Sequence, residues 1–403
     1  MRKIKEFCEI ISSFNNSFWY SRCTSCILMA KIQNILLVGF FYVYKFIYVF
    51  KKTPKKSFLI GTIEVAGNIY NYKKMFSENS ISVCLENNKY FKSLTYDIEL
   101  FSKSRMKRFI LSPILLASLI HKVDTFIIFG QKSFCLDLDF EYSFLKKRNK
   151  KIILIFVGND IRSLKLLKEV SKKNNEDTFA NYYLQSNIDS DKYDILKKYT
   201  AQLADKYADL IFNAKYDQVS YLQKKAYFPH FSISEDKFHK NYKKFQNLEK
   251  IKILHAPSNT LFKATPLVRA AIKKLSLERN DFEYVEMMNV SNEKVLKELE
   301  TTHIVLNQFY SFVPGLFGVE AMANMCTVLM SADSNIETGL ENYNNAWLVT
   351  KYWEIYDNIN FLLNNKNKLV YYAENGYKYA LKNHSEYAVQ TKLIEIFKKE
   401  KIL

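Results

Sequence analysis

After residue 56 the chain alternates short apolar runs with longer stretches that have one polar face. The short runs are rich in β-branched and aromatic residues, which favour strands, and the longer stretches have a helical period. Such alternation predicts a parallel sheet with crossover helices. In the first half, the predicted strands are 58–63, 125–129, 151–157 and 209–214.

A lysine- and asparagine-rich segment without apolar period, 234–250, interrupts the pattern. A second series of strands is predicted directly after it, at 251–256, 282–287, 303–308 and 327–332. With 403 residues the chain is too long for one ordinary core. We therefore predict an α/β protein with two Rossmann-like domains facing a cleft, spanning 57–233 and 251–403 and joined by a linker. In such sheets ligands bind beyond the carboxyl ends of the strands.

The N-terminal sixth of the chain has a different pattern. Its most hydrophobic run, ILLVGFFYVYKFIYVF at 35–50, would form a helix of roughly 24 Å, which is shorter than the roughly 30 Å of a bilayer's hydrocarbon. We interpret residues 1–56 as a helical extension that lies in the interface of an anionic membrane, with a core helix and a membrane span as the alternatives. The expected location is cytoplasmic, peripheral on the inner face of the membrane. The basic residues around the run are Lys31, Lys45, Lys51, Lys52, Lys55 and Lys56.

Composition narrows the class of protein. A hydrophobic content of 48% excludes a disordered chain. The net charge of +18 is concentrated beside the apolar N-terminal run, where residues 1–60 hold ten basic side chains against two acidic ones, and this argues against nucleic acid as a partner. The six cysteines form no disulfide or zinc pattern, because the Cys23/Cys26 pair lacks a second pair of ligands nearby.

Glycines mark one edge of both predicted sheets. The chain has only nine, and several lie where a strand turns into a helix, where backbone must turn sharply or approach a ligand closely. A purely structural role in these turns is the alternative at each position. The glycines in question are Gly61, Gly67, Gly130, Gly158, Gly315 and Gly318.

The stretch GLFGVEAMANM, 315–325, predicts a helix that begins near Gly315. Its unpaired N–H groups and positive dipole end would suit a diphosphate, so Gly315, Phe317 and Gly318 are candidate diphosphate-binding residues. Glu320, about one and a half turns into the helix, would offer a charged acceptor to a ribose or sugar hydroxyl. An ion-paired helix residue is the alternative for this glutamate.

Lys263 follows HAPSNTLF, just beyond the first strand of the second half, where its ammonium would meet the same phosphates. A surface lysine is the alternative. No Asp-x-Asp element stands at a strand end, since the LDLD at 136–139 enters a predicted helix. We therefore expect no metal and no cofactor. Asp160 and Arg162 end the strand 151–157 and should face the cleft, although Asp160 suits a helix cap equally well.

The order of these motifs resembles a bacterial glycosyltransferase of the GT-B fold, similar to family-four (group 1) members that build surface polysaccharides. The resemblance runs from Phe58 to Phe397. It rests on FGQKSFCLDL, KKIILIFVGNDIR, ADLIFNA, HAPSNTLFKAT, HIVLNQFY and GLFGVEAMANMCTVL.

The resemblance implies transfer of a sugar, with retention at the anomeric carbon, from a nucleotide-sugar to a glycan or lipid-linked acceptor. Lys263 and Glu320 would then bind the donor and act with Asp160 in catalysis. The acceptor would meet the first domain at Gly67, Gly130, Asp160 and Arg162.

The chain also departs from the family pattern. Relatives often have histidine at Val157, glycine at Ala264 and a second glutamate at Phe312, and an arginine where this chain has 258–260. These departures leave open a catalytically weak GT-B protein that binds glycans or partner subunits.

Overall fold

The computed structural model describes residues 24–50, 55–86, 93–183, 190–341 and 343–403. The strands of the first domain are β1 (Lys56–Ile63), β2 (Ser80–Glu86), β3 (Ile98–Glu99), β4 (Val123–Phe129), β5 (Lys151–Ile155) and β6 (Leu210–Phe212). They form a parallel sheet in the order β3-β2-β1-β4-β5-β6. All four strands predicted in the first half are present. Their apolar runs were conspicuous because both faces of the sheet are buried, as in KIILI, where four of five residues are inaccessible.

The strands of the second domain are β7 (Ile251–His255), β8 (Phe282–Glu286), β9 (Ile304–Leu306), β10 (Thr327–Met330) and β11 (Leu348–Val349). They form a second parallel sheet in the order β11-β10-β9-β7-β8, again with all four predicted strands present. The strand order reverses direction between β1 and β4 in the first sheet and between β7 and β9 in the second. Such reversals open a crevice at the carboxyl ends of the strands.

Helices cover both faces of each sheet. In the first half they are α1 (Thr24–Phe50), α2 (Asn68–Phe76), α3 (Arg105–Leu119), α4 (Leu138–Lys146), α5 (Leu164–Asn174), α6 (Phe179–Tyr183) and α7 (Ser190–Tyr207). In the second half they are α8 (Thr265–Glu278), α9 (Asn292–Leu299), α10 (Gly315–Ala323), α11 (Ile355–Asn364), α12 (Asn367–His384) and α13 (Glu386–Lys399). The LDLD stretch enters a helix as predicted, because Asp137 caps α4 by accepting from the N–H of Phe140.

The N-terminal helix α1 is built into the first domain. Leu37 and Phe41 are buried in the first domain's core, on a stripe that packs against α3. Gln33 fixes the helix further, since its Nε2 donates to Phe109 O and its Oε1 accepts from Leu136 N, each at 2.8 Å. The sequence placed this helix in an extension outside the two domains, whereas it shares a core with the first. Residues 1–23, Lys51 and Lys52 lie outside the described residues.

The C-terminal helix α13 crosses back to the first domain. The Phe397 ring lies 5.8 Å from that of Phe58, and Val389 and Leu393 join the same core. The crossing segment 226–233 and the α12–α13 junction bond to each other, with Ile233 N donating to His384 O at 2.7 Å. Residues 251–403, assigned by sequence to the second domain, therefore lend their last helix to the first. Two chain segments thus connect the domains at one place.

Candidate functional site

A cavity of about 380 Å³ lies between the two domains. It is lined by the segments that follow β5, β7 and β9, so it sits at the carboxyl ends of strands in both sheets. The loops after β7 and β9 flank the point where the order of the second sheet reverses. This is the place where open α/β sheets bind ligands.

Helix α10 begins at the wall of this cavity. Pro314 precedes it and supplies no side-chain cap, so the first N–H groups of the helix keep no side-chain partner. Gly315 has a φ of +65°, a left-handed conformation that favours glycine. Gln308 borders this turn, and its Nε2 donates to Val313 O at 2.5 Å. The helix therefore presents its positive end to the cavity.

Lys263 lines the same end of the cavity. Its Nζ donates to Oε1 of the neutral Gln308. Burial lowers the pKa of this amine to about 8, against an opposing effect from the Asp217 carboxylate. Among the described residues that line the cavity, Asp217 is the only carboxylate, and it is paired elsewhere. The second-domain end of the cavity is thus electropositive without a counterion of its own.

Arg162 forms a buried ion pair with Asp217 and donates from Nε to the backbone O of the same residue at 2.8 Å. Asp217 also reaches across the cleft, where its Oδ1 accepts from Ser311 Oγ at 2.5 Å and Phe312 N at 2.7 Å. A second crossing contact stands beside it, since Glu337 Oε2 accepts from Asp217 N at 3.0 Å. Asp217 therefore joins the two domains in the middle of the cavity.

Asp160 folds back onto its own turn. Its carboxylate accepts from Val157 N at 3.1 Å and lies against Gly130, where an added Cβ would come within 3.2 Å of Oδ1. Burial raises the pKa of this carboxyl. Arg162 lines the cavity, whereas Asp160 and Gly130 stand just outside it. Gly67, with a φ of +75°, precedes α2. It does not line the cavity, whereas the next residue, Asn68, does.

Glu320 lies inside the second domain and not on the cavity wall. Its side chain is buried, and both carboxylate oxygens accept from Asn292 Nδ2, at 3.1 and 3.2 Å. Burial raises its pKa to about 7. Gly318 is required by packing, because an added Cβ would lie 2.5 Å from Nδ2 of Asn307. Phe317 is half-buried and packs against the core of the second domain.

Of the predicted site residues, the structure brings Lys263, Gly315 and Arg162 together on the cavity wall. The other predicted site residues lie near the cavity but do not line it, and their roles stay predictions. They are Gly67, Gly130, Asp160, Phe317, Gly318 and Glu320.

No protein-family model and no curated protein matches the sequence. The structure of the chain, however, is similar to solved structures. Sucrose-phosphate synthase from Thermosynechococcus elongatus is similar over 86% of this chain and 99% of its own, at 10% identity and a TM-score of 0.56. WaaG, a glycosyltransferase involved in lipopolysaccharide biosynthesis, is similar over 84% and 98%, at 12% identity and a TM-score of 0.49. A putative UDP-N-acetylglucosamine 2-epimerase from Listeria monocytogenes is similar over 86% and 98%, at 13% identity and a TM-score of 0.47.

The chain has the GT-B fold. This follows from the two parallel sheets, the cleft between them and the sucrose-phosphate synthase likeness, which covers nearly the whole of both chains. At such low identity the likeness establishes the fold alone, and one fold hosts several chemistries. The reaction has to be argued from the site.

The first-domain end of the GT-B cleft holds residues that no sequence motif indicated. Asn68, His230 and His384 line the cavity there beside the aromatic Tyr72 and Phe129. Burial lowers the pKa of His384 to about 4 and that of His230 well below its usual value, so both rings are neutral near pH 7. No local spacing could have found them, because the two histidines are brought together only by the double crossing between the domains.

Proposed function

We propose that this protein is a glycosyltransferase that moves a sugar from a nucleotide-sugar to a glycan or lipid-linked acceptor in cell-surface polysaccharide synthesis. One observation carries the proposal. The Lys263 ammonium, which has a neutral amide and no carboxylate as its hydrogen-bond partner, lies beside the uncapped start of α10 inside the cleft. A diphosphate supplies the negative charge that this arrangement lacks.

The same arrangement suits the chemistry of the transfer. Breaking the bond between an anomeric carbon and a nucleoside diphosphate develops negative charge on the departing phosphate. A lysine and a helix terminus stabilise that charge without a metal ion, so we propose a metal-independent reaction that retains the anomeric configuration. The nucleotide-sugar is then the only small molecule needed. Glu320 stays the proposed donor residue and Asp160 the proposed acceptor residue, each from behind the cavity wall.

A catalytically weak GT-B protein remains the second candidate. It is favoured by the state of Asp217, whose carboxylate oxygens are engaged by Arg162, Ser311 and Phe312 N and are not available to take a proton from an acceptor. Purified protein should be tested for release of nucleoside diphosphate from a panel of nucleotide-sugars, with and without lipid-linked acceptors. Release that rises with acceptor supports the transferase. Tight nucleotide binding with no turnover supports the second candidate.

We also propose that the first domain rests on an anionic membrane through α1. By length and composition, Cys26–Val49 is able to span a membrane. However, one stripe of α1 is committed to the protein core, whereas the opposite face exposes a continuous set of apolar side chains. The neighbouring α3 adds Met106, Ile110 and Leu111, which are also exposed. On α1 the exposed set is Ile27, Leu28, Ile32, Ile35, Tyr42, Val43, Phe46, Ile47 and Val49.

A helix with one face in a protein core and one apolar face outward suits the plane of the bilayer interface. Sedimentation with anionic vesicles tests this. Replacing Ile35, Phe46 and Val49 with serine should abolish co-sedimentation, and the same change at Leu277, which is 77% exposed in the second domain, should have no effect. Exchanging Lys31 and Lys45 for glutamate should weaken binding to anionic vesicles only. A wild-type protein that stays in the supernatant at low salt would refute the membrane proposal.

A further inference from the structure

The first-domain end of the cavity contains buried polar atoms without partners. Within the described part of the chain, Asn68 Nδ2, His230 Nδ1 and His384 Nε2 make no hydrogen bond. Asn68 and His384 are 2% and 3% exposed, and all three residues line the cavity. The His230 and His384 rings lie 5.4 Å apart between centroids, at 63° to each other. Unsatisfied buried groups are costly, so three in one cavity wall indicate a ligand.

The hydrogen bonding of His384 fixes what its free nitrogen is able to do. Nδ1 lies 2.9 Å from Phe231 O, and a carbonyl only accepts, so Nδ1 carries the proton. The ring is neutral, because burial lowers its pKa to about 4. Nε2 is therefore an acceptor without a partner, on a ring that lines the cavity.

Asn68 has the opposite requirement. Its Nδ2 is a donor and needs an acceptor. A hydroxyl group donates and accepts, so the hydroxyls of a sugar ring are able to satisfy both kinds of atom. A phosphate or carboxylate offers no proton to His384 Nε2 and would meet its lone pair. The flanking Tyr72 and Phe129 supply apolar surface for the carbon face of such a ring.

We propose that Asn68, His230 and His384 form a subsite for a neutral hydroxyl-bearing sugar ring of the acceptor. The subsite lies in the same cavity as Lys263 and Gly315, which would hold the donor diphosphate. The assignment as an acceptor subsite rests on the proposed transferase function. The binding of a neutral sugar can be measured independently of it.

Saturation-transfer NMR with methyl glycosides of neutral hexoses and N-acetylhexosamines tests the subsite directly, with glucuronate and glucose 6-phosphate as charged counterparts. Wild-type protein should bind at least one neutral glycoside at tens of millimolar, and the charged sugars more weakly. The variant His384→Asn keeps an amide donor for Phe231 O and loses the acceptor at Nε2. Its affinity should fall about tenfold. His384→Gln, whose longer side chain carries an amide oxygen toward the Nε2 position, should recover part of the loss.

Three further measurements keep this proposal separate from the transferase proposal. The affinity for UDP and for other nucleoside diphosphates, measured by calorimetry, should be unchanged in His384→Asn, and acceptor KM should rise where turnover is observed. His303→Asn, a buried histidine of the second domain outside the cavity, is the matched control for loss of an imidazole. Thermal unfolding identifies any folding defect. Failure to bind any neutral glycoside, or equal binding in wild type and His384→Asn, overturns the subsite, whereas failure to bind any nucleotide overturns only the transferase.

Discussion

At the second-domain end of the cavity, Lys263 and the start of α10 present positive charge without a counterion. At the first-domain end, Asn68 and two neutral histidines present unsatisfied hydrogen-bonding atoms among aromatic rings. The two ends share one cavity of about 380 Å³ but call for different ligands. A charged group suits the first and a neutral polyol the second. A donor diphosphate and a sugar acceptor are a pair of ligands with these properties.

Between the two ends stands Asp217, which pairs with Arg162 in its own domain and accepts from Ser311 and Phe312 N of the other. Asp217 is therefore one of the contacts that set the relative placement of the two ends. The contrast between the two ends can be tested by substitutions at Asp217 or at either end of the cavity.

The largest effect is expected from Asp217→Asn. The change leaves the buried Arg162 guanidinium without a counterion, and removing one partner of a buried ion pair costs about 3 kcal/mol or more of unfolding free energy. Urea unfolding measures this loss. Asp124→Asn is the matched control, because its pair with Lys150, at 3.1 Å, has an exposed carboxylate worth less than about 1 kcal/mol. Similar losses in the two variants would show that Asp217 does not hold the domains together.

Glu320→Gln tests the burial of Glu320 inside the second domain. Burial raises the pKa of Glu320 to about 7 from 4.5, so between those values the folded state binds more protons than the unfolded state. Stability is therefore lost as pH rises from 4.5 to 7, on the order of 3 kcal/mol. Glutamine removes this loss, so the variant should be more stable than wild type at pH 8 and equal to it near pH 4.5.

The donor role proposed for Glu320 makes a separate prediction. Glu320→Ala should weaken nucleotide-sugar binding at least about tenfold. The stability curves are measured by thermal unfolding across pH and the affinities by calorimetry. A pH-dependent gain in stability together with unchanged affinity in both variants would assign Glu320 to packing alone.

Lys263→Met removes the positive charge at the second-domain end of the cavity and leaves the first-domain end unchanged. Nucleoside diphosphate affinity should fall more than tenfold, about 1.4 kcal/mol, because the ammonium beside the α10 terminus is lost. Stability should not fall, since the lowered pKa of this amine shows that burial of its charge opposes folding. Lys294→Met, an exposed lysine on α9, is the matched control. Neutral-glycoside binding should be the same in wild type and Lys263→Met, and parallel losses of both ligands would contradict the division of the cavity.

The pH dependence of nucleotide affinity sharpens the same point. The pKa of Lys263 is lowered to about 8 in the protein without nucleotide. A diphosphate binds the protonated amine, so affinity should be full below pH 7 and fall by up to about tenfold by pH 9. In Lys263→Met this fall should disappear. An identical pH profile in wild type and variant would mean that another group titrates.

The sequence predicted the strands well where both faces are buried and poorly where polar residues are inside. The strand β2 was missed because its SISVCLE places Ser80 and Ser82 among the buried positions. Ser82 is tolerated there because its Oγ lies 3.0 Å from Asp97 Oδ2. Apolar periodicity carries no information about such paired polar groups.

The candidate site likewise contains residues whose place the sequence predicted and residues whose place it did not. Lys263, Gly315 and Arg162 follow strands directly, and a parallel sheet brings the carboxyl ends of its strands to one edge, so their place was predictable. His230 and His384 lie more than a hundred residues apart and meet only where the chain crosses twice between the domains. Side-chain direction also escaped the sequence, since Glu320 points to Asn292 and not to the cavity.

The smallest effect is expected from Asp160→Asn, which tests the boundary between the two ends. Asparagine retains an oxygen for Val157 N, so the turn after β5 should survive with a stability change below about 0.5 kcal/mol. If the carboxylate helps to place the acceptor, transfer should fall several-fold, while nucleoside diphosphate affinity, which we assign to the opposite domain, should not change. Acceptor kinetics and calorimetry on one preparation separate these quantities.

Asp160→Ala, which also removes the hydrogen bond to Val157 N, should add a loss of thermal stability that Asn does not show. Equal losses of transfer and nucleotide affinity in Asp160→Asn would place this carboxylate in the donor site, and no loss of either would restrict it to capping its own turn.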